Sequence, residues 1–143
     1  MLLVAGVVEL GRGYVYATAA SDAARDGARY VAGKTALTNG PGLASMCSII
    51  TADLASVTPA ANVSCPTLIA HAPPFVSGTD YTNPTGGQAV VVVYCGTSLN
   101  CQGTTNPRYE AEIDVYVYYG FNDLNLFGGR ITLSGSSKTT TSW

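Results

Sequence analysis

The chain has 143 residues, which is enough for one domain with a hydrophobic core. Its hydrophobic fraction of 47% excludes a disordered chain, and its formal net charge of -2 gives no electrostatic basis for binding nucleic acid. Only 11% of the residues are charged, which is low for a freely soluble protein but suits one that buries surface against copies of itself. An ordinary Ser/Thr/Gly-rich secreted domain is the alternative.

Residues 1 to 33 are predicted to form one long helix, since the segment lacks proline and opens with the apolar run MLLVAGVVEL. That run is too short to cross a bilayer, which takes roughly 20 residues, and Glu9 and Arg12 interrupt its continuation. The segment also lacks the basic start and the small-residue cleavage site of a complete signal peptide.

Small residues recur along one line of this helix, in alternating steps of four and three residues. The line comprises Gly6, Leu10, Gly13, Ala17, Ala20, Ala24, Gly27 and Val31. Glycine inside a helix costs about 1 kcal/mol relative to alanine, so three glycines on one line indicate close backbone approach to another element. From Ala20 to Val31 we expect packing on the chain's own sheet, but this does not explain why nearly every face is apolar from Met1 to Val8.

The rest of the chain predicts a second helix and a sheet. After a break at NGPG (39–42), residues 43–57 place apolar side chains at helical spacing, and Pro59 ends that helix. Strands are predicted at 61–70, 88–95, 108–121 and 130–143, with a loop at 122–129. The fold class is therefore α+β, with a long N-terminal helix and a second short helix packed on an antiparallel sheet of about four strands.

Three predictions concern the positions of the strands and loops. QAVVVVYC (88–95) is apolar on both faces, as expected of a central strand. In 108–121 the side chains alternate, so Ile113, Val115, Val117 and Tyr119 are expected on one face and Glu112, Asp114, Tyr116 and Tyr118 on the other. The Pro/Gly-rich loop 71–87 and the loop 96–107 are expected to be the most exposed parts of the head.

The four cysteines predict disulfides rather than a zinc site, because their number is even and no CxxC spacing occurs. Three connectivities are possible. We favour Cys47–Cys65 and Cys95–Cys101 because each closes a short loop. Disulfides imply export to an oxidising compartment, whereas free buried thiols in a cytosolic protein are the alternative.

Candidates for catalysis or ligand binding are few. His71 is the only histidine, and it lies in a loop with no GxSxG-type elbow in the chain, so we interpret it as a solvated side chain. Glu110, Glu112 and Asp114 share a strand face, but acid–base chemistry or Ca²⁺ binding needs further ligands or a cleft. We interpret them as a solvated face or as an acidic patch that meets Arg or Lys on a neighbour.

Two further patterns have a structural and a functional interpretation. Gly11-Arg12-Gly13 follows no strand and lacks a third glycine, so it is not a dinucleotide loop. The nine tyrosines either form a binding or subunit surface or pack in the core and at sheet edges. Those that cluster are Tyr94, Tyr109, Tyr116, Tyr118 and Tyr119.

The first helix resembles the signature of TadE-like pilins, in which an apolar run is followed by E-[FL]-G-R-x-Y and an amphipathic stretch ending A-R-x-G-A-R-Y. Here these are Glu9-Leu10-Gly11-Arg12-Gly13-Tyr14 and Ala24-Arg25-Asp26-Gly27-Ala28-Arg29-Tyr30. GGRITLSGSS (128–137) is similar to the closing strand of that family. The two similar segments cover roughly a quarter of the chain.

The resemblance implies a subunit that is inserted in a membrane, cleaved by a prepilin peptidase and built into or onto a Tad-type, type IV-like pilus. The apolar run of the family is longer and carries another glutamate near its start, so we expect this chain to begin partway along it. The implied partners are other copies of the chain, the membrane before assembly and the pilus assembly machinery. The implied location is an extracellular filament on the cell surface.

The sequence therefore predicts a structural subunit without catalytic residues, cofactor or metal. We expect residues 1–33 to form the helix, whose first half projects for assembly, and residues 34–143 to form a disulfide-pinned head. Glu9 would be costly in an apolar setting unless it is paired, and Arg12, either of the same chain or of a neighbouring subunit, is the candidate partner. The predicted assembly interface consists of Leu2, Leu3, Val4, Gly6, Val7, Glu9, Leu10, Arg12, Gly13 and Tyr14.

The alternatives belong to other classes of protein. One is a minor, tip or priming pseudopilin of a secretion or pilus machine, which does not polymerise by itself. Another is a membrane-anchored adhesive or glycan-binding module that uses the face of Tyr116 and Tyr118. An enzyme is the third, and it would depend on His71.

Overall fold

The computed structural model describes residues 2–32, 41–69, 71–96, 111–122 and 130–141. These residues form an α+β fold, which confirms the predicted class. The helices are α1 (Leu2–Ala32) and α2 (Pro41–Asp53), which continues into a 3₁₀ turn at Leu54–Ser56, and a second 3₁₀ turn spans Ala60–Asn62. The strands are β1 (Val63–Ile69), β2 (Ala89–Cys95), β3 (Ala111–Asn122) and β4 (Arg130–Thr141).

The four strands lie in the order β1-β2-β3-β4, and the sheet is mixed. Strands β2, β3 and β4 pair antiparallel, but β1 pairs parallel with β2. The prediction of an antiparallel sheet is therefore wrong at this one pair. The physical reason is the connection from Ile69 to Ala89, which is long enough to return across the sheet, as a parallel neighbour requires.

That connection includes the loop 71–87, which was predicted to be exposed but covers one face of the sheet. The Phe75 ring lies edge-on to Tyr116 at 5.0 Å between centroids, and the Tyr81 ring stacks on Tyr118 at 4.2 Å. Burial under these rings raises the pKa of Tyr118 to about 12. Much of the loop's own surface remains exposed, but its aromatic side chains serve as packing contacts.

The prediction that β2 is central and apolar on both faces is confirmed. Val91 and Val93 belong to the main core beneath the helices, whereas Val90 and Val92 belong to a smaller cluster beneath the loop. The predicted alternation of β3 is also confirmed. The side chains of Ile113, Val115, Val117 and Tyr119 lie in the main core.

The second half of α1 lies on the main core face, where the predicted small-residue line contacts β4. Ala20 is fully buried, and a Cβ added to Gly135 would overlap the backbone of Ala20 and Ser21. The helix can approach the strand this closely only because Gly135 has no side chain. Packing of Ala20 to Val31 on the chain's own sheet is therefore confirmed.

The helix α2 packs on the same stretch of α1 and is linked to the sheet. A Cβ added to Gly27 would lie 2.7 Å from the Ile50 side chain, so glycine lets the two helices meet closely there. The predicted disulfide Cys47–Cys65 is present, with its Cα atoms 5.8 Å apart, and it joins α2 to β1. The second predicted disulfide, Cys95–Cys101, lies outside the described residues, since Cys101 is not among them.

Replacement of Gly135 by valine is expected to destabilise the fold. The added side chain meets helix backbone rather than a flexible side chain, so overpacking should cost at least about 2 kcal/mol of unfolding free energy. Urea denaturation followed by circular dichroism measures this change. The matched control is Ser136→Val, an exposed position on the same strand, which should leave the midpoint nearly unchanged. Equal midpoints for the two variants would contradict the close approach.

Candidate assembly surface

The helix α1 changes its environment near Tyr16. Beyond it the small residues are buried, whereas before it large apolar side chains are exposed to solvent. Leu3 is 81% exposed, Leu10 76% and Tyr14 73%. The other exposed apolar side chains of this half are Val4, Val7, Val8 and Val15. In the described part of the chain, no helix is both long enough and apolar enough to span a membrane.

The glycines of this first half have no neighbours within the chain. The positions that a Cβ would take at Gly6, Gly11 and Gly13 have no atom within 4 Å, apart from the helix's own backbone and the adjacent residues. This is the opposite of Gly27, whose missing side chain admits Ile50. Gly6 and Gly13 are two turns apart on one line of the helix, so they leave a strip of surface that another helix can approach closely, whereas Gly11 lies on the opposite side of the helix.

Glu9 and Arg12 form the ion pair that the sequence predicts, and they form it within one chain. The Arg12 Nη1 donates to the Glu9 Oε1 at 2.8 Å. The Glu9 side chain is only 1% exposed, whereas that of Arg12 is 44% exposed. The hydrogen bond with Tyr16, and then the charge of Glu9, raise the pKa of Arg12. The second carboxylate oxygen of Glu9 is buried and has no hydrogen-bond partner among the described residues.

Aromatic contacts fix the point where α1 meets the end of the sheet. The Tyr16 ring stacks on Tyr119 with centroids 4.9 Å apart and also contacts Phe121 at 5.4 Å. The Arg12 guanidinium lies 5.6 Å from the centroid of the Phe121 ring. Cation–π and stacking contacts of this kind fix the orientation of α1 relative to the sheet.

An apolar groove of about 760 Å³ lies between this part of α1 and the strands β3 and β4. The helix contributes Val7, Leu10 and Tyr14, all of them predicted interface residues. The sheet contributes Phe121, Ile131 and Leu133, which the sequence analysis did not predict for this surface. Their only sequence signal is an apolar end to β3 and an apolar start to β4.

The predicted interface residues are thus brought together, with two exceptions. Leu3, Val4, Val7, Leu10, Gly13 and Tyr14 belong to the exposed first half of α1, as do Gly6 and Arg12. Glu9 belongs to the same segment but is buried, so within the single chain it pairs with Arg12 rather than facing solvent. The side chain of Leu2 lies outside the described part of the structure.

The predicted acidic face of β3 meets a cation from the same chain. Lys138 of β4 lies 2.6 Å from the Glu112 carboxylate. Asp114 is 4% exposed, and burial followed by the charge of Glu112 raises the pKa of its carboxyl group. Glu110 lies outside the described residues. Among those residues, no group of three or more His, Cys, Asp or Glu side chains is arranged to hold a metal ion.

His71 lies on the surface and bonds to the loop that contains it. Its Nε2 is 2.9 Å from the Asp80 Oδ1, and the Asp80 Oδ2 accepts from the Val76 N–H at 2.7 Å. The hydrogen bond with Asp80 is the main cause that raises the pKa of His71. Since Asp80 is tied to the loop backbone, this pair fixes the shape of the loop over the aromatic rings.

The chain matches no known family model, no curated protein and no solved structure. Its function is therefore inferred from its own surfaces and from the motif in α1.

Arg12→Met is expected to destabilise α1 more than Glu9→Gln. Loss of Arg12 leaves a buried carboxylate without its cation, whereas loss of the Glu9 charge leaves a guanidinium that water already reaches. Amide exchange of residues 5–12 and urea denaturation measure the effect. Arg25→Met is the control, because Arg25 and Asp22 are both exposed and 3.9 Å apart, and it should change little. A larger loss for Glu9→Gln would contradict this assignment.

The His71 contact predicts a titration that proton NMR can follow directly, since the chain has one histidine. Because the folded pKa is raised above the ordinary value of 6.5, the contact stabilises the loop below that pH and is lost as pH rises through the raised pKa. Asp80→Asn should move the ring titration back towards 6.5, whereas Thr79→Ala should not. An unchanged midpoint in Asp80→Asn would show that this contact does not form in solution.

Proposed function

We propose that this chain is a structural subunit of an extracellular, type IV-like (Tad-type) pilus filament, which it enters through the first half of α1. One observation carries the proposal. A single continuous helix packs into the core along its second half, yet presents Leu3, Val4, Val7, Leu10 and Tyr14 to solvent along its first. An unpartnered apolar helix of this kind marks an interaction surface.

The exposed side chains are large enough to drive association. Full burial of a single Leu or Val stabilises by about 1.5–3 kcal/mol, so several buried together can exceed the entropic cost of association. The head makes a poorer interface of this kind, because its exposed large apolar side chains in the described residues are only Val76 and Ile131. Assembly is therefore directed to α1.

The surface also explains why association would continue into a filament. The helix end around Leu3 and Val4 and the groove beside Leu10 and Leu133 are different surfaces of one subunit. A contact that joins the end of one helix to the groove of the next is heterologous, and where its rotation does not close a ring it leaves both surfaces open at the two ends of a filament. Each added subunit can then receive another.

Two further observations support the proposal. The open strip at Gly6 and Gly13 lets neighbouring helices approach closely, as in small-residue helix packing. The Cys47–Cys65 disulfide suits an oxidising location outside the cytosol. The resemblance of the Glu9–Tyr14 segment to TadE-like pilins adds the membrane before assembly and the pilus assembly machinery as proposed partners.

Gly13→Leu is expected to abolish filaments while it leaves the subunit folded. In the single chain the Cβ position of Gly13 has no atom within 4 Å and opens onto the apolar groove, so the fold should accommodate the leucine, and removal of a helix glycine should raise helix stability by up to about 1 kcal/mol. Electron microscopy of the producing cells and circular dichroism of the purified subunit measure the two effects. The control Ala44→Leu adds bulk at an exposed position of α2 and should leave filaments intact.

Normal filaments from Gly13→Leu would contradict close helix packing at this position. Immunogold labelling then separates the two structural roles. Label along the whole fibre is expected for a main subunit, whereas label confined to fibre ends would favour a minor or tip pseudopilin.

A further inference from the structure

A second pocket, of about 430 Å³, opens where β1 and β2 begin. It lies against the head, and none of its lining residues belongs to α1. Its walls are formed by the starts of the two strands and by residues 82–84 of the loop that joins them. No charged side chain lines it, although three carboxamide side chains do, those of Asn62, Asn83 and Gln88. This composition differs from that of the apolar groove beside α1.

Two of the carboxamides are held by their oxygen atoms. The Asn83 Oδ1 accepts from the Thr132 hydroxyl at 3.2 Å, and the Gln88 Oε1 accepts from the Thr85 N–H at 3.0 Å. In each case the bond fixes the plane of the amide. The NH₂ groups, which are hydrogen-bond donors, make no other hydrogen bond within the described residues and are available to a ligand.

The third carboxamide, that of Asn62, is held through its nitrogen atom instead. The Asn62 Nδ2 donates to the Gly87 carbonyl oxygen at 3.4 Å, which also accepts from the Thr58 hydroxyl at 2.5 Å. Gly87 has a φ of 78°, a conformation that a side chain would strain, so the carbonyl is directed by a glycine-specific turn. The Asn62 Oδ1 is thereby left as an acceptor at the rim of the pocket.

The pocket therefore offers oriented donors and an oriented acceptor together with apolar surface from Ala61 and Val63. An ionic ligand would lose its hydration here without meeting an opposite charge. A neutral ring with several hydroxyl groups can instead pair with both ends of these amides and place its C–H face on the apolar wall. We infer that this pocket binds a neutral saccharide unit.

The inference does not depend on the proposed filament, since a monomeric head contains the whole pocket. The volume lies within the range of about 300–1,000 Å³ that is usual for small-ligand sites. The carboxamides are exposed, so water competes with a ligand for their hydrogen bonds. A single sugar should therefore bind weakly, with a dissociation constant in the millimolar range, and repeated copies along a filament would strengthen attachment to a surface that displays many sugars.

The test is an NMR titration of the isotopically labelled full chain with glucose, galactose, mannose, N-acetylglucosamine and N-acetylgalactosamine, each added separately. At least one sugar is expected to shift the side-chain NH₂ signals of Asn83 and Gln88 and to saturate. Glycine and inorganic phosphate serve as charged probes and should leave these signals unchanged. Failure of all five sugars to give a saturable shift, or saturation by a charged probe alone, would overturn the inference.

Variants locate the site on the chain. Asn83→Leu removes the two N–H donors of one amide. We expect it to lower the affinity for the sugar that binds by about tenfold, equivalent to about 1.4 kcal/mol. Gln88→Glu keeps the shape of the side chain and should also lower the affinity for this sugar. It provides a second measurement if Asn83→Leu folds poorly. Ser48→Leu, at an exposed position of α2, is the control and should bind as the unmodified chain does. Unchanged affinity in both pocket variants would place any sugar binding elsewhere.

Discussion

The close approach of α1 to β4 determines where the other parts of this structure lie. Gly135 has no side chain and Ala20 has a small one, so helix backbone and strand come into direct contact. Two turns further along the same line of the helix, Gly27 admits Ile50 of α2. The Cys47–Cys65 disulfide then ties α2 to the first strand. The glycines at these two contacts thus determine how closely α1 lies to β4 and to α2.

The same contact fixes the direction in which α1 leaves the sheet. A helix held against β4 at Ala20 passes Phe121 about two turns earlier, where Tyr16 stacks on Tyr119 and Arg12 lies over the Phe121 ring. The exposed half is therefore an extension of a helix already held by the core. Such an extension loses less conformational freedom on association than a free peptide would, which favours binding through this segment.

Local patterns predicted most of the fold. The line of small residues from Ala20 to Val31 indicated a helix packed closely on its own sheet, and the run of valines in β2 indicated a central strand. The three-residue spacing of Glu9 and Arg12 was enough to predict their ion pair. In each case the residues that decide the structure are neighbours in the sequence.

What the sequence could not predict depends on contacts between distant segments. The parallel direction of β1 follows from the route of the loop over the sheet. That route depends on the packing of Phe75 and Tyr81 against the face of the sheet opposite the helices. The groove beside α1 needs Phe121 and Leu133, which lie more than a hundred residues along the chain from the helix residues that line it. No periodicity or motif within one segment encodes such a long-range contact.

The glycines of α1 have different surroundings in the two halves of the helix, and the difference bears on function. At Gly27 the absent side chain is matched by Ile50, so the lower helix propensity of glycine is offset by packing within the chain. At Gly6, Gly11 and Gly13 the chain places nothing, although each costs about 1 kcal/mol relative to alanine. A helix that retains three such residues in its exposed first half, two of them on one line, gains no packing within the chain at these positions. The packing that offsets them in our proposal comes from the helix of the next subunit.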